Sequence, residues 1–91
     1  MISQATLHTV EAKRISKRLF NHWKHKFEVS EHNDHFKIQL PSAALTLEFL
    51  PDRLNLRLDS SLDDLTQLQT VVIQHLNRMA GDEFDVQWTT T

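Results

Sequence analysis

Apolar residues recur along this chain with two periods, and the changes of period divide it into elements. Between Thr9 and Phe27, the residues Ala12, Ile15, Leu19 and Trp23 return every three or four positions, with Phe27 one turn later. Glu11, Lys13, Arg14, Lys17 and Arg18 fall off that stripe. The spacing predicts one amphipathic helix from about Val10 to Lys26. Thr9 is placed to cap it, its hydroxyl accepting an orphan amide hydrogen of the first turn. Glu11 sits at the positive end of the helix dipole, and Lys24, His25 and Lys26 at the negative end.

A period of two follows. Phe27–Glu31 alternates apolar and polar residues, as a half-buried strand does. Phe36, Ile38 and Leu40 alternate with Lys37 and Gln39; Leu45, Leu47 and Phe49 with Thr46 and Glu48; Leu54, Leu56 and Leu58 with Asn55, Arg57 and Asp59. His32-Asn33-Asp34, Pro41-Ser42-Ala43 and Pro51-Asp52 supply the turns between them. The short connections predict an antiparallel meander with one apolar face and one wet face. Ahead of the first helix, Gln4–His8 is a short strand candidate with Ala5 and Leu7 on one face.

The helical period returns after Ser60. Ser61 and Asp64 have the spacing of a capping box, with Asp in place of Glu or Gln. Leu65, Leu68, Val72, Leu76 and Met79 form the stripe, broadened by Leu62, Val71 and Ile73. Gly81, the only glycine, falls where a left-handed residue would end the helix. Phe84–Trp88 alternates again and reads as a last strand, with Thr89–Thr91 expected to fray.

The predicted order is β-α-β-β-β-β-α-β. One apolar sheet face and two apolar helix stripes are satisfied together by an α+β two-layer sandwich. Both helices pack on the same face of a mainly antiparallel sheet. The layout is similar to that of the TATA-binding protein, a likeness of architecture that implies no function. A chain of 91 residues should expose about 5,500 Å² when folded, against about 15,500 Å² extended. That suffices for one core, so residues 1–91 are expected to form a single domain.

Composition narrows the function classes. Net charge is −2, which argues against a dedicated nucleic-acid binder. No apolar run approaches the roughly 20 residues of a membrane span. No charged start and apolar run mark a secretory signal, so a cytoplasmic location is expected. Without cysteine there is no disulfide, thiolate ligand or thiol nucleophile. A single glycine excludes a Gly-rich phosphate loop, and no Gly-flanked nucleophile turn is present. No acid–base pair emerges from spacing, so the reading leans away from an enzyme.

The chemistry that remains is in the histidines. His22 and His25 lie about one turn apart on the first helix. His75 borders the stripe of the second, beside Val72 and Leu76. If the helices lie side by side, His22 and His75 meet across the seam, and neutral imidazoles with open positions there could hold Zn or Fe. The ordinary role of such residues is to bond a carbonyl or face water. His32 and His35 flank a turn and are expected to be exposed. The candidate ligand site is therefore His22, Trp23, His25 and Lys26, facing His75. Lys26 and the basic helix face are suited to an anionic small ligand or a carboxylate-rich partner. A homodimer pairing through an edge strand, Gln4–His8 or Phe84–Trp88, is the other expectation.

The block His22-Trp23-Lys24-His25-Lys26-Phe27 resembles the H-W-x-H-K-F block of a small bacterial domain family of unknown function. Val71-Val72-Ile73-Gln74-His75-Leu76-Asn77-Arg78 is similar to the V-V-x-x-H-L-x-R helix of that family, and Val86-Gln87-Trp88-Thr89 to its closing strand. Some members are fused to, or encoded near, siderophore-interacting flavin reductases. The resemblance therefore implies an accessory role in siderophore or iron handling, with such a reductase as partner. It carries over no catalytic residue.

Overall fold

The computed structural model describes residues 1–91. The elements run β1 (Ile2–His8), α1 (Ala12–Trp23), β2 (Glu28–Glu31), β3 (His35–Leu40), β4 (Ala43–Phe49), β5 (Arg53–Asp59), α2 (Thr66–Ala80) and β6 (Thr89–Thr90). The strands form one six-stranded sheet in the order β2-β3-β4-β5-β1-β6, with every neighbouring pair antiparallel. The α+β sandwich expected from the patterning is the observed fold. The folded surface is 5640 Å², close to the value that chain length implies.

The alternating strands deliver one side to the core. Leu45 and Leu47 of β4, Leu54, Leu56 and Leu58 of β5, and Ile38 of β3 are almost wholly buried against Ile15 and Leu19 of α1 and Val72 and Leu76 of α2. Burying side chains of this size stabilises by about 1.5–3 kcal/mol each. Phe20, outside the expected stripe, is also buried, its ring centroid 4.7 Å from that of Phe36.

Both helices are shorter than their apolar patterns suggest. Thr9 does not cap α1 directly: its Oγ1 accepts the N–H of Glu11, and Glu11 itself holds the cap position without a side-chain bond to the helix backbone. At the other end the N–H groups of Lys26 and Phe27 both return to the Trp23 carbonyl, at 3.0 and 2.9 Å. That tightened turn reverses the chain into β2.

The Ser61–Asp64 capping box does not form. Ser60 is held to the sheet instead: its N–H donates to the Met1 carbonyl and its Oγ to the Ser42 carbonyl. The chain reaches α2 only at Thr66, whose N–H is accepted by Asp64 Oδ1 at 2.9 Å. Leu62 is consequently exposed rather than part of the stripe, whereas Leu65 is buried. Gly81 does end α2, at φ 68°. It and Asp82 both direct their N–H groups to the Asn77 carbonyl, the Gly81 bond being the 5→1 return of an αL cap and the Asp82 bond a 6→1 return.

The C-terminal segment differs most from expectation. Phe84, Val86 and Trp88 pack against the core, so their alternation is real. Yet Phe84–Trp88 forms no ladder, and the strand is Thr89–Thr90. Thr91 does not fray: it exchanges both backbone hydrogen bonds with Ile2. Asn77 Oδ1 accepts the Phe84 N–H, tying the segment to α2 before it reaches the sheet. The edges of the sheet are therefore β2 and β6. β6 covers only the start of β1, pairing Ser3 with Thr90 and Gln4 with Thr89, so the outward side of Thr6 and His8 has no ladder partner, and Phe84–Trp88 forms no strand.

Candidate functional site

Trp23 is the last residue of α1 and the anchor of the site. Its indole is buried, lies edge-on to Phe27 with centroids 5.7 Å apart, and sits 4.9 Å from the ring of His75. The stripe that buries Trp23 leaves His22, the preceding residue, exposed at the rim. The ring centroids of His22 and His75 are 5.8 Å apart. The two helices thus bring together histidines 53 positions apart in the chain.

His75 is half-buried, and its Nδ1 lies 2.8 Å from the Val71 carbonyl oxygen one turn earlier. A carbonyl can only accept, so Nδ1 carries the proton and Nε2 of the neutral ring keeps its lone pair. Arg18, one turn before His22, crosses the same seam and donates through Nη1 to the Met79 carbonyl at 2.9 Å. That bond satisfies one of the last carbonyls of α2, one turn along each helix from the histidine pair.

His25 and Lys26 stand apart from this group. His25 is exposed in the turn after α1, and Lys26 Nζ lies 5.6 Å from the Phe27 ring centroid. No group of three or more His, Cys, Asp or Glu side chains is arranged to hold a metal ion. His25 therefore adds no third ligand to His22 and His75.

The opposite face of the sheet carries a polar arrangement that the histidine spacing gave no hint of. Thr6, Asn55, Glu48 and His35 face one another in register across β1, β5, β4 and β3. Thr6 Oγ1 donates to Asn55 Oδ1 at 3.0 Å, and Asn55 Nδ2 donates to Glu48 Oε1 at 2.9 Å. His35 stacks on His32, with centroids 4.3 Å apart and planes 10° from parallel. Asp34 Oδ1 lies 2.6 Å from His35 Nδ1, and this hydrogen bond holds the Asp34 carboxyl below its usual 3.8.

The row crosses a shallow concavity of about 950 Å³, lined also by Arg57 and by Gln87 of the C-terminal segment. Its only sequence signal was alternation; the register that aligns these residues is set by the turns between strands. A hydroxyl–imidazole pair, Ser30 Oγ and His32 Nε2 at 3.1 Å, is open to water at the sheet edge. On the helix side, Gln69 Nε2 donates to Ser3 Oγ, which pairs with Thr90 Oγ1, joining α2, β1 and β6.

A two-layer α+β sandwich with an imidazole pair at its helix seam is the class this geometry defines. Residues 4–89 match the model of a family described as an uncharacterized protein conserved in bacteria (DUF2218), and the chain belongs to that family. It is also similar to PA4090 from Pseudomonas aeruginosa, whose NMR structure superposes with a TM-score of 0.81. The two sequences are 34% identical, over 97% of this chain and 94% of that one. No curated protein matches the chain. No helix is long and apolar enough to cross a membrane.

Proposed function

We propose that this chain is a non-enzymatic binding module of the bacterial cytoplasm, taking an anionic small ligand at the seam between the end of α1 and α2. The observation that carries this reading is the approach of His22 to His75, centroids 5.8 Å apart. One ring is exposed and free to reorient; the other is held by the Val71 carbonyl. Lys24, His25 and Lys26 follow the exposed end of α1 with donors and positive charge, Arg18 lies one turn before His22, and the last turn of α2 adds Arg78. Clustered positive charge and charge-assisted donors favour an anion there. Trp23 supplies a rigid wall beneath them.

The accessory role in siderophore or iron handling rests on the family resemblance. It fits an oxygen-rich anion: tris-catecholate complexes of ferric iron carry net negative charge, and a siderophore-interacting reductase would be the partner that receives them. A ¹H–¹⁵N titration with citrate and with gallium-loaded catecholate and hydroxamate chelators tests the reading. Shifts should centre on Asn21–Phe27 and Val71–Arg78. Shifts confined to the Thr6–Asn55–Glu48 face, or none at millimolar ligand, would overturn it.

A homodimeric scaffold is a second reading, favoured by the outer edge of β2. The bond from the His32 N–H to the His35 carbonyl sets the phase of the β2–β3 ladder. Val29 and Glu31 then turn their backbone groups outward, away from β3. Light scattering that shows only monomer at millimolar concentration would remove this reading.

A further inference from the structure

We infer that His22 and His75 together form a two-imidazole site for a divalent late transition-metal ion, with the remaining coordination positions open. Imidazole nitrogens ligate such ions at about 2.0–2.1 Å. For N–metal–N angles between about 90° and 180°, two ring centroids then lie roughly 4.5–6.4 Å apart. The observed 5.8 Å falls inside that range.

The second shell supports the same inference. A metal-ligating histidine characteristically donates its other ring N–H to a carbonyl or carboxylate, which fixes the tautomer and orients the lone pair. His75 makes that bond, from Nδ1 to the Val71 carbonyl at 2.8 Å. His22 is exposed and its ring has no hydrogen bond, so Nε2 or Nδ1 can turn toward the ion without breaking a contact. Trp23 packs against His75 at 4.9 Å and limits its rotation. The stacked pair His32–His35 differs in both respects. Its rings are parallel at 10°, so their nitrogens do not converge, and its hydrogen bonds go to Ser30 and Asp34 at the surface.

Two neutral nitrogen ligands suit copper(II), nickel(II) or zinc(II), in the usual order with copper tightest. Because the protein supplies no third ligand, water or an oxygen donor completes the sphere. The guanidinium of Arg18, one turn from His22 and at the same helix seam, adds positive charge that favours an anionic oxygen donor. The inference shares the seam of the proposed function but rests on ring geometry alone, so metal without any chelator is the probe.

Calorimetric titration of the full chain with nickel(II) or zinc(II) at pH 7.5 should give one equivalent bound. Copper(II) should broaden amide signals around His22 and His75 first. His22→Ala, which removes an exposed side chain and leaves the fold intact, should weaken binding by at least about tenfold. His75→Ala should do the same, with its fold checked by the amide spectrum. His25→Ala and His32→Ala should stay within about twofold of the parent. No binding at millimolar metal, equal affinity in His22→Ala, or broadening centred on His32 and His35 would overturn the inference. Failure of the metal titration leaves the anion titration unaffected, and the reverse holds.

Discussion

The imidazole of His75 donates through Nδ1 to the carbonyl oxygen of Val71, one turn back on α2, at 2.8 Å. This bond makes the ring part of the helix rather than a mobile surface group, and it leaves Nε2 as the ring's free nitrogen. His22, on the other helix, has no comparable restraint. The two therefore differ in what their removal should do. His75→Ala loses a hydrogen bond and the contact with Trp23, and should cost about 1–2 kcal/mol of stability. His22→Ala should change stability by less than about 0.5 kcal/mol. Urea unfolding of the two variants checks the difference; equal losses would show that the rings are one structural unit.

Ser16 Oγ is buried on α1 without a hydrogen-bond partner. A buried hydroxyl that has given up water without compensation is destabilising, and alanine is also the better helix former. Ser16→Ala is therefore expected to raise stability by about 0.5–2 kcal/mol. A drop in the thermal midpoint of this variant would mean that the hydroxyl has an internal acceptor.

Gly81 ends α2 at φ 68° with open space where a Cβ would stand. Only backbone strain opposes a side chain there. Gly81→Ala should cost about 1–2 kcal/mol. Gly81→Asn should cost less, because asparagine tolerates the left-handed region better. An alanine variant as stable as the parent would place the helix end elsewhere.

Ile2 and Thr91 exchange both backbone bonds, and the outward groups of β1 alternate from there. Gln4 faces Thr89, but Thr6 and His8 face a segment with no ladder. Amide hydrogens of Ala5 and Leu7, which point to β5, should exchange at least about tenfold more slowly than those of Thr6 and His8. Equal protection at all four would mean that Phe84–Trp88 pairs with β1 in solution.

Asp34 and Asp64 are both held below the usual carboxyl value of 3.8, Asp34 chiefly by the His35 hydrogen bond and Asp64 by its bonds to Thr66. A carboxyl with a depressed folded pKa favours the native state above its unfolded pKa. That contribution is lost as pH falls through the folded value. Stability should thus decline as pH drops below about 4. The acid limb should be shallower in the double variant Asp34→Asn, Asp64→Asn. Parallel limbs in urea midpoints from pH 5 to 2 would contradict this assignment.

Much of the fold was legible because the periods of apolar residues are physical. Leu54, Leu56 and Leu58 can share a face only as a strand, and Ile15, Leu19 and Trp23 only as a helix. Gly81 was legible for the same kind of reason, since few other residues adopt its backbone angles. The misjudged boundaries lie where a tertiary bond outweighed a local pattern. Ser60 was drawn to Met1 and Ser42, which postponed α2 to Thr66. Phe84–Trp88 kept its alternation but not its ladder, and Asn77 Oδ1 instead took the Phe84 N–H. Half of the candidate site was legible as well: His22 and His75 each border a buried stripe, whereas nothing in the spacing separated them from His25.

The chain by itself determined which residues face inward, because burial of apolar side chains follows a period that neighbouring residues set. Which polar residues become neighbours was decided only in three dimensions. The crossing of α1 and α2 put His22 beside His75, and the registers of four strands aligned Thr6, Asn55, Glu48 and His35. Helix crossings and strand registers depend on how whole faces interlock, and no local period encodes that fit.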